Sequence, residues 1–108
     1  MKRIASVAVL AAFIALPALA TAQDIEKGKA LYAANKCQTC HALEGKGNKK
    51  YPLDGVGAKL SGEEISNWIT DPKAMEAKMA VKPTLHMKAY KLADADLKAL
   101  VSYMQSLK

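Results

Sequence analysis

Arginine, phenylalanine and tryptophan each occur once in the 108 residues, and Arg3 and Phe13 both lie near the start. Beyond residue 22 the only residue of these three types is Trp68. A small chain so poor in large aromatics has little of the bulk that usually fills a core. Cysteine is almost as scarce, with Cys37 and Cys40 the only pair, which excludes a disulfide framework. There is no second Cys-x-x-Cys, and His41 and His86 are the only histidines, so a four-ligand zinc site is poorly supplied. No stretch alternates apolar and polar residues as a strand does, so no βαβ pattern surrounds the cysteines and a thioredoxin-like redox pair has no scaffold. Repeats, low-complexity tracts and linkers are absent as well, and so is any constellation of nucleophile, base and substrate pocket that would mark an enzyme.

The first 22 residues read as an export signal. Met1-Lys2-Arg3 is basic, Ile4 to Ala20 is apolar, and Ala20-Thr21-Ala22 fits the small-residue cleavage pattern. A membrane anchor is the competing reading. The run is short for a spanning helix, holds Pro17 and ends in small residues, all of which favour cleavage. Residues 1–22 are therefore expected to be removed, leaving one domain over residues 23–108; a second candidate cut follows Ala20. The expected location is the bacterial periplasm. The mature part carries 14 lysines against 10 acidic residues. That excess suits docking to an acidic protein surface, and it equally suits plain solubility. Nucleic acid is not an expected partner in this compartment, and no stable membrane insertion is expected after cleavage.

What is present is Cys37-Gln38-Thr39-Cys40-His41. Cys-x-x-Cys-His is the attachment sequence of c-type haem. Two thiols three residues apart can each add to a vinyl group of one haem, and the adjoining His41 can donate an imidazole nitrogen to its iron. Haem attachment of this kind takes place outside the cytoplasm, so signal and motif support each other. A covalently held haem also supplies the apolar surface that the chain's own aromatics do not.

Helical spacing surrounds the motif. Asp24 can cap a first helix ending near Ala34, with Ile25, Gly28, Leu31 and Tyr32 on one face. A last helix starts near Asp94, and Leu97, Leu100, Val101, Met104 and Leu107 form its apolar stripe. The two faces can bury each other, with Gly28 allowing a close crossing. Ser61-Gly62-Glu63-Glu64 reads as a capping box opening a helix with Ile65, Trp68 and Ile69 on one side. Asp71-Pro72 ends it and starts another over roughly Pro72 to Met79. Glu44 to Lys59 is expected to be loop, and the fold class is all-α.

A second axial ligand would make the haem an electron-transfer centre, and an open position would let it bind gases. Met104 and the pair Met75 and Met79 have helical positions that packing explains. Met87 lies in an extended segment after Pro83-Thr84-Leu85-His86 and is the favoured ligand; Met79, His86 and an open site are the alternatives.

With these residues in hand, the chain resembles the class I cytochromes c from Gln23 to Lys108. Gly28 and Tyr32 before the haem motif, and Leu100 and Tyr103 in the last helix, are similar to the family's helix crossing. The resemblance implies three to five short helices wrapped around one covalently bound haem c. Tyr51-Pro52-Leu53 stands where the family has Gly-Pro-x-Leu, which assigns to Pro52 the carbonyl that accepts a hydrogen bond from the ligand histidine. Trp68-Ile69-Thr70-Asp71-Pro72-Lys73 is similar to the segment lining the family's haem pocket. Met87-Lys88-Ala89-Tyr90 resembles the family's Met-Pro-Ala-Tyr, where that Met binds iron. The expected function is a periplasmic single-electron carrier that is not itself an enzyme, taking electrons from a dehydrogenase and passing them to an oxidase or reductase. The alternatives are a dedicated haem subunit of a periplasmic dehydrogenase oxidising a sulfur compound or alcohol, and an open-iron ligand sensor.

Overall fold

The computed structural model describes residues 16–108, with side chains from residue 22. Most of the predicted signal segment, residues 1–15, lies outside the described residues. Helix α1 spans Leu16–Ala34, and it ends where the sequence predicts. Its start differs, because Asp24 lies within the helix rather than capping it. Ala18, Ala20 and Ala22 precede it, alanine is the strongest helix former, and Pro17 falls in the first turn where its missing N–H costs nothing. No helix among the described residues is long and apolar enough to cross a membrane.

After α1, Lys36 takes a left-handed φ of 56° and turns the chain into a short 3-10 helix, Cys37–Thr39. A small antiparallel ladder follows, β1 (Ala42–Leu43) against β2 (Lys46–Gly47), with Ala42 opposite Gly47. Glu44 and Gly45 link them with φ of 51° and 79°. Positive φ at both positions is what a two-residue hairpin turn requires. Helix α2, Val56–Lys59, comes next. The expected loop over Glu44 to Lys59 is thus corrected at both ends. Elements of two to four residues are shorter than one period of the pattern that would reveal them.

Helix α3 (Gly62–Thr70) opens on the predicted capping box: Glu64 N–H donates to Ser61 Oγ at 3.1 Å, and Ser61 N–H donates to Glu64 Oε1 at 3.0 Å. Asp71 closes α3 and its carboxylate accepts from Ala74 N–H at 3.3 Å, starting α4 (Pro72–Ala77). Helix α4 stops two residues before the predicted Met79. There Lys82 Nζ donates to the carbonyls of Glu76 and Met79 at 2.7 and 3.0 Å and satisfies the helix's C-terminal end. An extended segment then leads to α5, Asp94–Gln105.

Helices α1 and α5 pack against each other at the predicted place. A Cβ on Gly28 would collide with the carbonyl of Ala99 and the side chain of Tyr103, so only glycine permits this approach. Beside it Tyr32 and Tyr103 meet edge to face, with ring centroids 6.0 Å apart. Tyr32, Ile65, Ile69, Leu100 and Met104 form the buried core between α1, α3 and α5. Full burial of such side chains stabilises by about 1.5–3 kcal/mol each. The chain end is tied in as well, since Gly57 N–H donates to the Leu107 carbonyl at 2.7 Å.

Candidate functional site

The core opens on one side into a cavity of about 280 Å3. Cys37, Cys40 and His41 contribute to its wall, as do Trp68, Met79 and Met87. The sequence-predicted candidates therefore share one space, with the exception of Pro52.

Local hydrogen bonds shape the Cys37–His41 turn. Cys40 N–H and His41 N–H both donate to the Cys37 carbonyl, at 3.2 and 3.0 Å. The hairpin then braces the turn from outside. Asn48 N–H donates to the carbonyls of Gln38 and His41 at 3.1 Å each, and its side-chain amide donates to the Thr39 carbonyl at 3.3 Å. Gly47, with φ of 102°, sits against the His41 carbonyl where no side chain fits. Gly47 and Asn48 are functional supports that the sequence reading missed; the signal was the Gly45-Lys46-Gly47-Asn48 run. Both cysteines are half-buried free thiols. Burial is the main influence on the Cys37 thiol and pushes its pKa up.

The His41 ring is fixed by one bond, from Nδ1 to the Tyr51 carbonyl at 2.9 Å. This corrects the assignment of that role to Pro52. Ala42 pairs with Pro52 in a parallel bridge, with Ala42 N–H donating to the Tyr51 carbonyl and Leu53 N–H donating to the Ala42 carbonyl. In that register the carbonyl facing His41 belongs to Tyr51, and Pro52 is exposed. A carbonyl can only accept, so Nδ1 is the donor, and in the neutral ring Nε2 is the nitrogen that keeps its lone pair.

The methionines separate by environment. Met87 is half-buried against the core, whereas Met79 is 39% exposed; both reach the cavity. Met75 is not part of its wall, and Met104 is a buried core residue that also touches it. His86 is 69% exposed, and its Nδ1 is 2.8 Å from Glu76 Oε2, which engages that ring nitrogen. Among the described residues no group of three or more His, Cys, Asp or Glu is placed to hold a metal ion.

The residues fit a large, mostly apolar planar group held covalently. The wall is dominated by aliphatic and aromatic side chains, two thiols lie on it, and His41 offers one unprotonated nitrogen. Tyr32 also lines the cavity, and its hydroxyl is buried with no partner among the described residues. Its pKa is pushed up to about 12, chiefly by burial, then by the charges of Cys37, Tyr103 and Asp54.

A mostly helical framework with a Cys-x-x-Cys-His turn beside an apolar cavity defines a haem-binding class of protein. The family model for cytochrome c matches residues 25–108, and the chain belongs to that family. No curated protein and no solved structure matched the chain. Family membership makes this a haem-binding electron carrier and implies covalently bound haem c, for which Cys37, Cys40 and His41 have the Cys-x-x-Cys-His spacing.

Proposed function

We propose that the mature chain, residues 23–108, is a periplasmic single-electron carrier whose one haem c is ligated by His41 and Met87. The observation that carries the reading is the convergence of Cys37, Cys40, His41 and Met87 on one apolar cavity. Cys37 and Cys40 would hold the group as thioethers, each S–H adding across a vinyl bond. Bound haem supplies one-electron cycling of its iron. His41 would donate Nε2 while the Tyr51 carbonyl holds Nδ1–H, which orients the ring and strengthens its donation. Trp68, Ile65 and Ile69 would keep water from the bound group, and the thioether sulfur of Met87 would favour its reduced state. The segment from Lys78 to Leu85 exposes Met79, Val81 and Leu85 beside Lys78 and Lys82, a combination suited to a brief, small-area encounter with an acidic redox partner. A periplasmic dehydrogenase as donor and an oxidase or reductase as acceptor are the partners this reading names.

Optical spectra test the ligand set. The oxidised protein is expected to show the weak far-red band of a Met–iron bond, and the reduced protein to resist carbon monoxide. A missing band with rapid carbon monoxide binding would sink the carrier reading in favour of an open-iron sensor. Purification from a native source tests the free-carrier role, where constant co-elution with a dehydrogenase would make the chain a subunit instead.

A further inference from the structure

Segment 78–89, which contains Met87, is anchored from two directions. On one side it returns to α4, through Lys82 to the Glu76 carbonyl and through His86 to the Glu76 carboxylate. On the other it reaches Tyr51. The Tyr51 hydroxyl accepts from Thr84 N–H at 3.2 Å and from Leu85 N–H at 3.4 Å, and lies 3.3 Å from Thr84 Oγ1. Lys50 reinforces this corner, with Nζ donating to Thr84 Oγ1 and lying 5.9 Å from the Tyr51 ring centroid. The backbone carbonyl of the same tyrosine accepts from His41 Nδ1.

We propose that Tyr51 is a positioning residue that couples the His41 and Met87 sides of the cavity, its carbonyl fixing the His41 ring and its hydroxyl fixing the loop that presents Met87. The proposal rests on the reading of Met87 as a ligand. Among the described residues, the side-chain ties from segment 78–89 to the chain around His41 all come from Lys50 and Tyr51. Two backbone amides sharing one phenol oxygen also fix the direction in which the loop leaves Leu85, two residues before Met87. Loss of that oxygen frees the loop to open locally while the core stays packed. The His41 contact survives, because it uses main chain.

Tyr51→Phe separates the two halves of this device. The chain is prepared with haem attached. Binding of imidazole to the oxidised iron and of carbon monoxide to the reduced iron is timed beside the chemical unfolding midpoint. A net contribution of about 1 kcal/mol from the lost hydrogen bonds corresponds to about a fivefold faster entry of either ligand. The far-red band should be retained at neutral pH and the unfolding midpoint should stay close to that of the parent. Thr84→Val, which keeps both amides on the phenol oxygen, should give a smaller rise. Unchanged entry rates in Tyr51→Phe overturn the proposal alone. So does a rise matched by an equal loss of global stability, because that is what a purely structural tyrosine would do. A parent protein without the far-red band overturns the Met87 assignment, and the proposal with it.

Discussion

Met87 and Met79 border the same cavity, and burial distinguishes them. A thioether competes poorly with water when its loop moves freely, so the half-buried Met87 is the stronger candidate. Met87→Ala should abolish the far-red band and let carbon monoxide bind the reduced iron within seconds, whereas Met79→Ala should leave the spectrum unchanged. The reverse result would transfer the ligand to Met79. Tyr32 gives a second residue-level outcome. Its folded pKa is raised to about 12 from an ordinary 10.0. The folded state therefore keeps the proton that the unfolded chain gives up, and stability falls as pH rises from 10 to 12. A loss of about 1–2 kcal/mol is expected across that window after discounting for partial solvent contact. Unfolding midpoints taken at intervals through the window should show it, and Tyr32→Phe should show less of it. The remaining dependence would come from Tyr90 and Tyr103, which burial also raises.

At the scale of elements, the long helices and their contacts were legible in the sequence. Spacing alone marked the stripes of α1 and α5, and Gly28 marked where they cross. The Ser61 and Asp71 caps marked α3 and α4, because a side chain that satisfies orphan amides has a fixed offset from them. The hairpin and α2 were not legible, since two to four residues carry no period. The start of α1 was missed for another reason: Asp24 is a good cap, but three alanines upstream outweigh it. In the site, Cys37, Cys40 and His41 were legible from their spacing. The carbonyl that holds His41 was displaced by one residue, from Pro52 to Tyr51, because the register of a parallel bridge leaves no trace in composition. Gly28→Ala tests the crossing. One methyl group forced against the Ala99 carbonyl should cost about 1–3 kcal/mol, read from urea unfolding. An unchanged midpoint would mean that α1 slides away freely.

For the molecule as a whole, cavity size sets the balance. Without a group to fill it, a mostly apolar space of about 280 Å3 leaves hydrophobic wall facing water, and a small domain has little stability to offset that. Replacing Cys37 and Cys40 together by alanine, so that no haem is attached, should leave a chain with little cooperative unfolding by circular dichroism. A melting transition as sharp as that of the parent would show that the core needs no filler. Charge acts over the same scale. With 14 lysines against 10 acidic residues beyond residue 22, reduction by an acidic partner should slow as salt rises and the Debye length shrinks from about 10 Å at 0.1 M to about 3 Å at 1 M. A rate indifferent to salt would assign the lysines to solubility. The crossing of α1 and α5 bears on timing as well. Helix α5, Asp94–Gln105, is made after α1, the helix it packs against. Until α5 has been made, the face of α1 around Gly28 lacks the helix it packs against. In a chain exported as proposed, α1 would therefore stay unpartnered until α5 had followed it across.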